Sequence, residues 1–292
     1  MKLPKISIVT PSFNQGKFIE ATILSVLEQN YPNLEYVIID GGSTDNSADI
    51  ISKYSDKLHY WVSEADKGMY DAISKGFEKT TGEIMLWINS DDLLSPDSLS
   101  IIAEIFSEHQ GVDWITSLYS VWYDVEGRLI RTMYKDGFSK GGFMRGENLP
   151  RANQFSKYWI QQESTMWRRS LWEKAGAYLE TEWSVAGDFD LWARFFQYSE
   201  LMGVETLLGG GRRHSEQKSL LEVDSYYEET DITFKRLGIK YYSNWEAKIL
   251  NYLLYLIPKR LKSVAFKLGF NDYRESLYHT GREEGWKRRR WK

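Results

Sequence analysis

The sequence predicts an α/β fold, a Rossmann-like sheet flanked by helices, and three observations carry that expectation. Apolar, β-branched runs alternate with segments of helical spacing through residues 5–110. Short links join them, the mark of a βαβ array with largely parallel strands. The run Ile84-Met85-Leu86-Trp87-Ile88 is apolar throughout, as a strand buried on both faces must be, and it stops abruptly at Asn89-Ser90-Asp91-Asp92.

In chain order, Lys5 to Thr10 is the first strand and Pro11 to Gly16 a loop by its turn chemistry. Apolar residues from Phe18 to Leu27 recur at helical spacing, until Pro32 prevents continuation. Tyr36 to Ile39 is the second strand and ends at Asp40. The turn Gly41 to Asp45 supplies cap residues for a short helix through Ile50, Ile51 and Tyr54. Leu58 to Val62 is the third strand, and Ala72, Ile73 and Phe77 mark the next helix. After the fourth strand, Ser95-Pro96-Asp97 opens another helix, with proline at its favoured first turn.

Beyond Gly111 the alternation fades. Trp114 to Thr116 and Ser120 to Tyr123 are expected strands, with a hairpin turn at Glu126-Gly127. Lys135 to Tyr158 is Gly-rich and weakly periodic, the profile of a functional or mobile loop. Order returns from Ser164 to Ala175, and Asp188 to Phe196 has a helical pattern. A glycine run, Gly209 to Gly211, precedes Arg212-Arg213-His214, and Asp224 to Leu237 and Trp245 onward read as helical.

Composition narrows the function. The formal net charge of −4 argues against nucleic-acid binding by the whole surface, although the tail from Gly285 to Lys292 is basic with interleaved Trp. Cysteine is absent, which excludes disulfides and thiolate metal sites and suits a cytoplasmic setting. Met1 to Pro4 leads straight into the first strand, so no signal peptide is expected, and no apolar stretch is long enough to span a bilayer. The 12 Trp and 19 Tyr are a surplus that suits sugar surfaces, yet buried aromatics are the commoner case. Between Trp245 and Phe270, Leu-Leu-Tyr-Leu-Ile mixes with Lys259, Arg260, Lys262 and Lys267. That mixture suits peripheral contact with an anionic membrane, or packing on the domain or a partner subunit.

The acids carry the chemistry. In open α/β sheets ligands bind beyond the carboxyl ends of the strands, where Asp91 and Asp92 fall. Two adjacent carboxylates repel unless a cation intervenes, and Mg²⁺ or Mn²⁺ accepts one or two carboxylates plus phosphate oxygens. The usual alternative, capping of the next helix, is already served by Ser95 to Asp97. Asp40 ends a neighbouring strand and could accept a hydrogen bond from a base or ribose. Neither a dinucleotide fingerprint nor a P-loop follows the first strand, so a metal is the remaining way to neutralise a diphosphate.

Taken together, Ile6 to Thr10 with Pro11 and Asn14, Val37 to Asp45, and Asn89 to Asp92 resemble glycosyltransferase family 2. The likeness is strongest over residues 1–100 and extends more thinly to His214. It implies the GT-A fold and inverting transfer of a sugar from a nucleotide-diphosphate donor, a UDP-sugar being favoured. The implied acceptor is a hydroxyl of a glycan or lipid-linked glycan in surface polysaccharide synthesis. Thr10 and Pro11 would line the base pocket, Asp40 and Asp66 would contact the nucleoside, and Lys67 the phosphates. Asp91 and Asp92 would form the acidic metal motif. Its leading position is Ser90 or Asn89 here, which leaves the division of labour between the two acids open. Gly187-Asp188 matches a Glu-Asp pair that begins a helix, with Gly187 replacing the Glu and Asp188 keeping the position of the base. Apart from the resemblance, Asp188 would read as a helix cap or as the partner of Arg194. Glu163 and Trp192 are the expected acceptor contacts, and His214, in an Arg-x-His segment, would complete the metal shell or meet the leaving diphosphate.

These readings divide the chain into a GT-A domain over residues 2–219 and a helical, basic extension over 220–292. The nucleotide half is expected over about residues 2–110 and the acceptor half over 111–219. Two rivals stand beside the transferase. A sugar-phosphate nucleotidyltransferase would carry a glycine- and basic-rich loop where Pro11 to Gly16 lies, and a non-catalytic nucleotide-sugar or glycan binder would lack Asp188.

Overall fold

Nine strands form one mixed sheet in the computed structural model, which describes residues 3–149, 158–239, 274–281 and 285–291 and positions 249, 252 and 256. The first half supplies β1 (Ile6–Ser12), α1 (Ile19–Leu27), β2 (Leu34–Asp40), α2 (Ser47–Ser52), β3 (Tyr60–Ser63), α3 (Met69–Glu78) and β4 (Ile84–Trp87). A short β5 (Leu93–Leu94) and α4 (Ser98–Glu108) follow, then β6 (Trp114–Ser117), β7 (Tyr119–Tyr123), β8 (Leu129–Tyr134) and α5 (Lys140–Met144). The second half holds a 3₁₀ turn (Gln162–Ser164), β9 (Thr165–Arg168), α6 (Arg169–Lys174), α7 (Gly187–Tyr198), β10 (Met202–Val204) and β11 (Gly209–Arg212). It ends with α8 (Lys218–Leu221), α9 (Val223–Arg236), β12 (Arg274–His279) and β13 (Trp286–Trp291).

The main sheet runs β13-β12-β10-β6-β9-β4-β1-β2-β3. Strands β4, β1, β2 and β3 are mutually parallel, as short crossovers predict, while β9 runs antiparallel to both β4 and β6. A second sheet, β5-β11-β7-β8, packs the glycine run beside the acid pair.

Alternation along the strands divides the core. Ile6, Ile8, Tyr36, Ile38, Ile84 and Leu86 face α1, α2 and α4. Val9, Val37, Ile39, Met85 and Trp87 face α3, α6, α7 and α9. On that second face Trp192 stacks on Trp87 at 6.0 Å and on Trp114 at 5.6 Å, with Trp167 edge-on at 5.7 Å. The aromatic surplus therefore fills a core layer. Trp192 is sealed within it, so the expected acceptor contact at this residue is corrected: no sugar ring reaches its face.

The division at residue 219 is also revised. Helix α9 packs on α7, and β12 pairs parallel with β10, so residues beyond 219 complete the same sheet. The expected helical extension ends in a β-hairpin. Arg288 and Arg290 pair with Glu275, Arg289 lies 3.3 Å from Glu205, and the Trp286 indole donates to Glu104 at 3.1 Å. Two of those partners, Glu104 and Glu205, lie far away in sequence, which is why local pattern did not disclose the strand. The expected membrane-contact stretch from Trp245 to Phe270 lies almost wholly outside the described residues. Among the described residues no helix is long and apolar enough to cross a membrane.

Opposite the ligand end of the sheet, buried Glu35 accepts from Lys5 (3.0 Å), Ser7 (2.8 Å), both donors of Thr81 (each 2.7 Å) and the Gly82 amide (2.9 Å). Burial opposes its charge, but the Thr81, Lys5 and Ser7 hydrogen bonds win and bring its pKa down to about 2. Its stabilising effect is therefore present above the unfolded value of 4.5 and is lost as pH falls through about 2. Glu35→Gln should cost about 2–4 kcal/mol in chemical denaturation at neutral pH, a deficit that shrinks in acid.

Candidate active site

The loops after β1 and β2 are tied to each other before any ligand arrives. Asn14 (φ 54°) takes a left-handed conformation. Its amide donates to Ser43 at 2.8 Å, and its side-chain oxygen accepts the Thr44 amide at 2.8 Å. Asp40 lies fully buried, and its oxygens accept from Ser12 Oγ (2.9 Å), the Ser43 amide (2.9 Å), Ser43 Oγ (2.6 Å) and Ser63 Oγ (2.6 Å). Its acceptor capacity is spent on joining the ends of three strands. Thr10 is likewise buried, sharing a 3.1 Å hydrogen bond with the Tyr36 hydroxyl, and Pro11 continues the strand beside it. Asp66 lies across Gly41, where an added Cβ would come within 2.7 Å of Asp66 Oδ2. Lys67 is exposed on the same loop.

The turn after β4 separates the two acids by environment. Thr22 Oγ1 donates to the carbonyls of Ser90 and Asp92 at 2.9 and 2.7 Å, fixing the turn onto α1. Asp92 points inward and accepts from Asn89 Nδ2 and from the Arg212 amide, both at 3.1 Å. Burial, reinforced by Asp91 and Glu163, pushes its carboxyl well above the usual range. Asp91 stays partly exposed, and its Oδ2 accepts from His214 Nε2 at 2.9 Å.

Beside this pair stand His214 and Arg212. His214 packs against the Phe18 ring at 4.6 Å, and the Arg212 guanidinium covers the same ring at 5.0 Å. Arg212 is almost fully buried, yet its Nε and Nη2 have no partner, nor does His214 Nδ1. Buried donors are nearly always satisfied, which sets these two Arg212 nitrogens apart. The sequence reading passed over Arg212, although it opens the Arg-x-His segment.

Glycines let the second sheet approach so closely. A Cβ on Gly209 would sit 2.1 Å from the Glu163 carbonyl, and one on Gly211 would sit 3.1 Å from Glu163 Oε1 and 3.6 Å from Asp92 Oδ1. Glu163, buried on the 3₁₀ turn, accepts from Gln161 Nε2 at 2.6 Å. Burial raises its proton affinity, against the pull of the Lys135 ammonium.

Asp188 opens α7 across the crevice, and its Oδ1 accepts the Phe189 amide at 2.7 Å. Burial first, then Glu163 and Glu229, push its pKa up to about 7. Glu229 of α9 accepts the amides of Ser184, Val185 and Ala186 at 2.7, 3.1 and 2.7 Å, holding the lead-in to α7. Gly187 is required by packing, because a Cβ there would stand 2.6 Å from the Tyr70 ring. Asp190, one step along the helix, is consumed by Arg194 at 2.9 Å, Thr233 at 3.2 Å and Arg236. The two acids of α7 thus divide into one facing the crevice and one bracing the helices.

A model described as Glycosyl transferase family 2 matches residues 7–159, just over half of the chain. The chain belongs to glycosyltransferase family 2. Over 105 residues it is 34% identical to an uncharacterized glycosyltransferase of Nostoc, covering 35% of this chain and 33% of that one. Over 108 residues it is 34% identical to a putative teichuronic acid biosynthesis glycosyltransferase of Bacillus subtilis, covering 36% and 43%. The chain thus matches less than half the length of either. Staphylococcus aureus TarS 1–349 with UDP-GlcNAc shares the fold at TM-score 0.56 and 20% identity, over 73% of this chain and 60% of that one. A Pyrobaculum calidifontis mannosyltransferase with GDP-Man and Mn²⁺ does so at 0.59 and 14%, over 93% and 82%. The GT-A-type fold implied for family 2 is thereby shown.

Because folded Asp188 keeps its proton to about pH 7 and an ordinary aspartic acid releases it near 3.8, its stability contribution is present in acid and lost as pH rises through about 7. Asp188→Asn should therefore lose less of its melting temperature than the parent between about pH 5 and about pH 8, read by thermal denaturation.

Proposed function

We propose that this chain is an inverting, metal-dependent glycosyltransferase acting on a nucleotide-diphosphate sugar, with a UDP-sugar favoured. The observation that carries the reading is the combination of Arg212 donors that are unpartnered among the described residues, the Asp91–His214 pair, and the desolvated Asp188 carboxyl at the start of α7. The first two suit a diphosphate leaving group and the third suits an acceptor proton.

The residues present fit a divalent ion. Asp91 Oδ2 and His214 Nε2 are 2.9 Å apart, close to the spacing of adjacent ligands around an ion with bonds of about 2.1 Å. Asp91 and His214 would hold Mn²⁺ or Mg²⁺ together with donor phosphate oxygens, and Asp92 would brace the turn from behind. Among the described residues no group of three acidic, histidine or cysteine side chains is gathered that could hold an ion by itself. When bound, the ion supplies Lewis-acid stabilisation of charge on the departing diphosphate.

The chain's own residues would do the rest. Asp188 takes the proton of the acceptor hydroxyl as that oxygen bonds to the anomeric carbon, while the bond to the diphosphate oxygen breaks on the opposite face. Arg212 donates to the leaving phosphates from a site where water is excluded, which strengthens the interaction. Asp66 and Lys67 would border the nucleoside and phosphates, and Thr10, Pro11 and Asp40 would shape the pocket through the loops they fix. Glu163 would contact the acceptor. A glycan or lipid-linked glycan hydroxyl is the proposed acceptor, at the cytoplasmic side of a membrane. The exposed helical positions Ile249, Tyr252 and Leu256, at i, i+3 and i+7, support peripheral contact there.

A panel of nucleotide-sugars with Mn²⁺ tests the reading by thermal shift and by release of free nucleoside diphosphate. The active donor should stabilise the protein only with metal, and Asp91→Ala should abolish that shift. Asp188→Asn should keep nucleotide binding and lose about 10²–10⁴-fold in transfer. Turnover by the parent should rise with pH through about 7, as the Asp188 carboxyl ionises. Unchanged turnover in Asp188→Asn would sink its assignment as base.

A further inference from the structure

Lys135 follows β8 and is completely buried, an uncommon place for an ammonium. Its amide donates to the Leu118 carbonyl at 2.7 Å, and Arg274 of β12 pairs with the next residue, Asp136. The backbone is therefore pinned on both sides. The side chain is poorly served by comparison. Among the described residues its three donors meet one acceptor, Gln161 Oε1 at 3.4 Å, and the Phe138 ring at 5.6 Å. Desolvation brings its pKa down to about 7 against the pull of Glu163.

The other end of Gln161 makes the contact informative. Its Nε2 donates to Glu163 Oε1 at 2.6 Å. An ammonium can only donate and an ionised carboxylate can only accept, so the amide between them fits one way round. The Gln161 backbone is locked too, since its carbonyl accepts Thr165 Oγ1 at 2.7 Å and the Ser164 amide at 3.2 Å. Glu163, at the end of this relay, raises the proton affinity of both Asp92 and Asp188, so it stands close to each half of the crevice. Gln161 is its only hydrogen-bonded side-chain neighbour among the described residues.

We infer that Lys135 is a positioning residue for glycosyl transfer, acting through Gln161 to aim the Glu163 carboxylate at the hydroxyls of the sugar and acceptor between Asp91 and Asp188. The inference rests on the glycosyltransferase reading. Its physical basis is the poor return of the lysine as a structural element. A buried charge with one long hydrogen bond contributes little to stability, and an apolar side chain of similar length is commonly neutral or stabilising there. Carboxylate orientation is what the relay supplies, and small misplacements of such groups cost rate.

Lys135→Met and Lys135→Arg in the full chain separate the two roles. The readouts are melting midpoint, calorimetric affinity for the diphosphate of the active donor with Mn²⁺, and steady-state diphosphate release. For Lys135→Met we expect a midpoint equal to or above the parent's. Diphosphate affinity and donor KM should stay within about twofold while kcat falls roughly ten- to a hundredfold. Lys135→Arg, which keeps the charge, should recover part of kcat. Parental turnover in Lys135→Met would overturn the inference. So would a lowered midpoint with turnover lost only in proportion to the unfolded fraction. The parent's turnover is read first: if it releases diphosphate from no donor, the glycosyltransferase reading fails and this inference falls with it.

Discussion

One backbone hydrogen bond governs the site: the Arg212 amide donating to Asp92 Oδ1 at 3.1 Å. It joins the second sheet to the turn after β4, beside the pairing of β11 with β5 and β7. The bond turns Asp92 inward, which leaves Asp91 as the outward acid. It also sets Arg212 and His214 over Phe18 and above that acid. In a buried setting an amide donor and its acceptor are costly to separate, which helps hold this geometry. The glycine run is its counterpart, since any side chain at Gly209 would collide with the Glu163 carbonyl.

The acids show how environment separates residues of one chemical type. Asp40 is saturated by three serines, Asp92 by two amide groups, and Asp190 by two arginines and a threonine. Asp91 and Asp188 keep oxygen atoms facing the crevice, one beside cationic groups and one in a desolvated wall. Assignment of roles thus follows from what each carboxylate already accepts.

That distinction limits what the sequence discloses. Strand ends and helix starts are local features, so β1, β2, β4 and α7 were legible, together with the acids they carry. Whether Asp40 offers a free oxygen depends on Ser12 and Ser63, which local pattern does not bring together. Trp192 was misread because a sugar platform and a core filler have the same composition, and only the neighbours Trp87, Trp114 and Trp167 separate them. Lys135 gave no signal at all, since its burial is created by chain that is remote in sequence. The tail was read as helical and basic, whereas its arginines sit on a strand opposite Glu205 and Glu275, partners that local pattern does not supply.

The pairing of β12 with β10 also shapes the route to the folded state. Gly203 meets Ser276, so the sheet closes at this edge only after a long stretch of chain has been gathered in. Contacts of such high sequence separation form late, because loop closure precedes their reward. Until then β10 presents unpaired amides and carbonyls, an invitation to intermolecular pairing. The basic hairpin that finally covers this edge ends it in a strand of four consecutive basic residues, Lys287 to Arg290, and charged side chains on an edge strand disfavour pairing with another copy. The same residues that finish the sheet thereby act as its terminator.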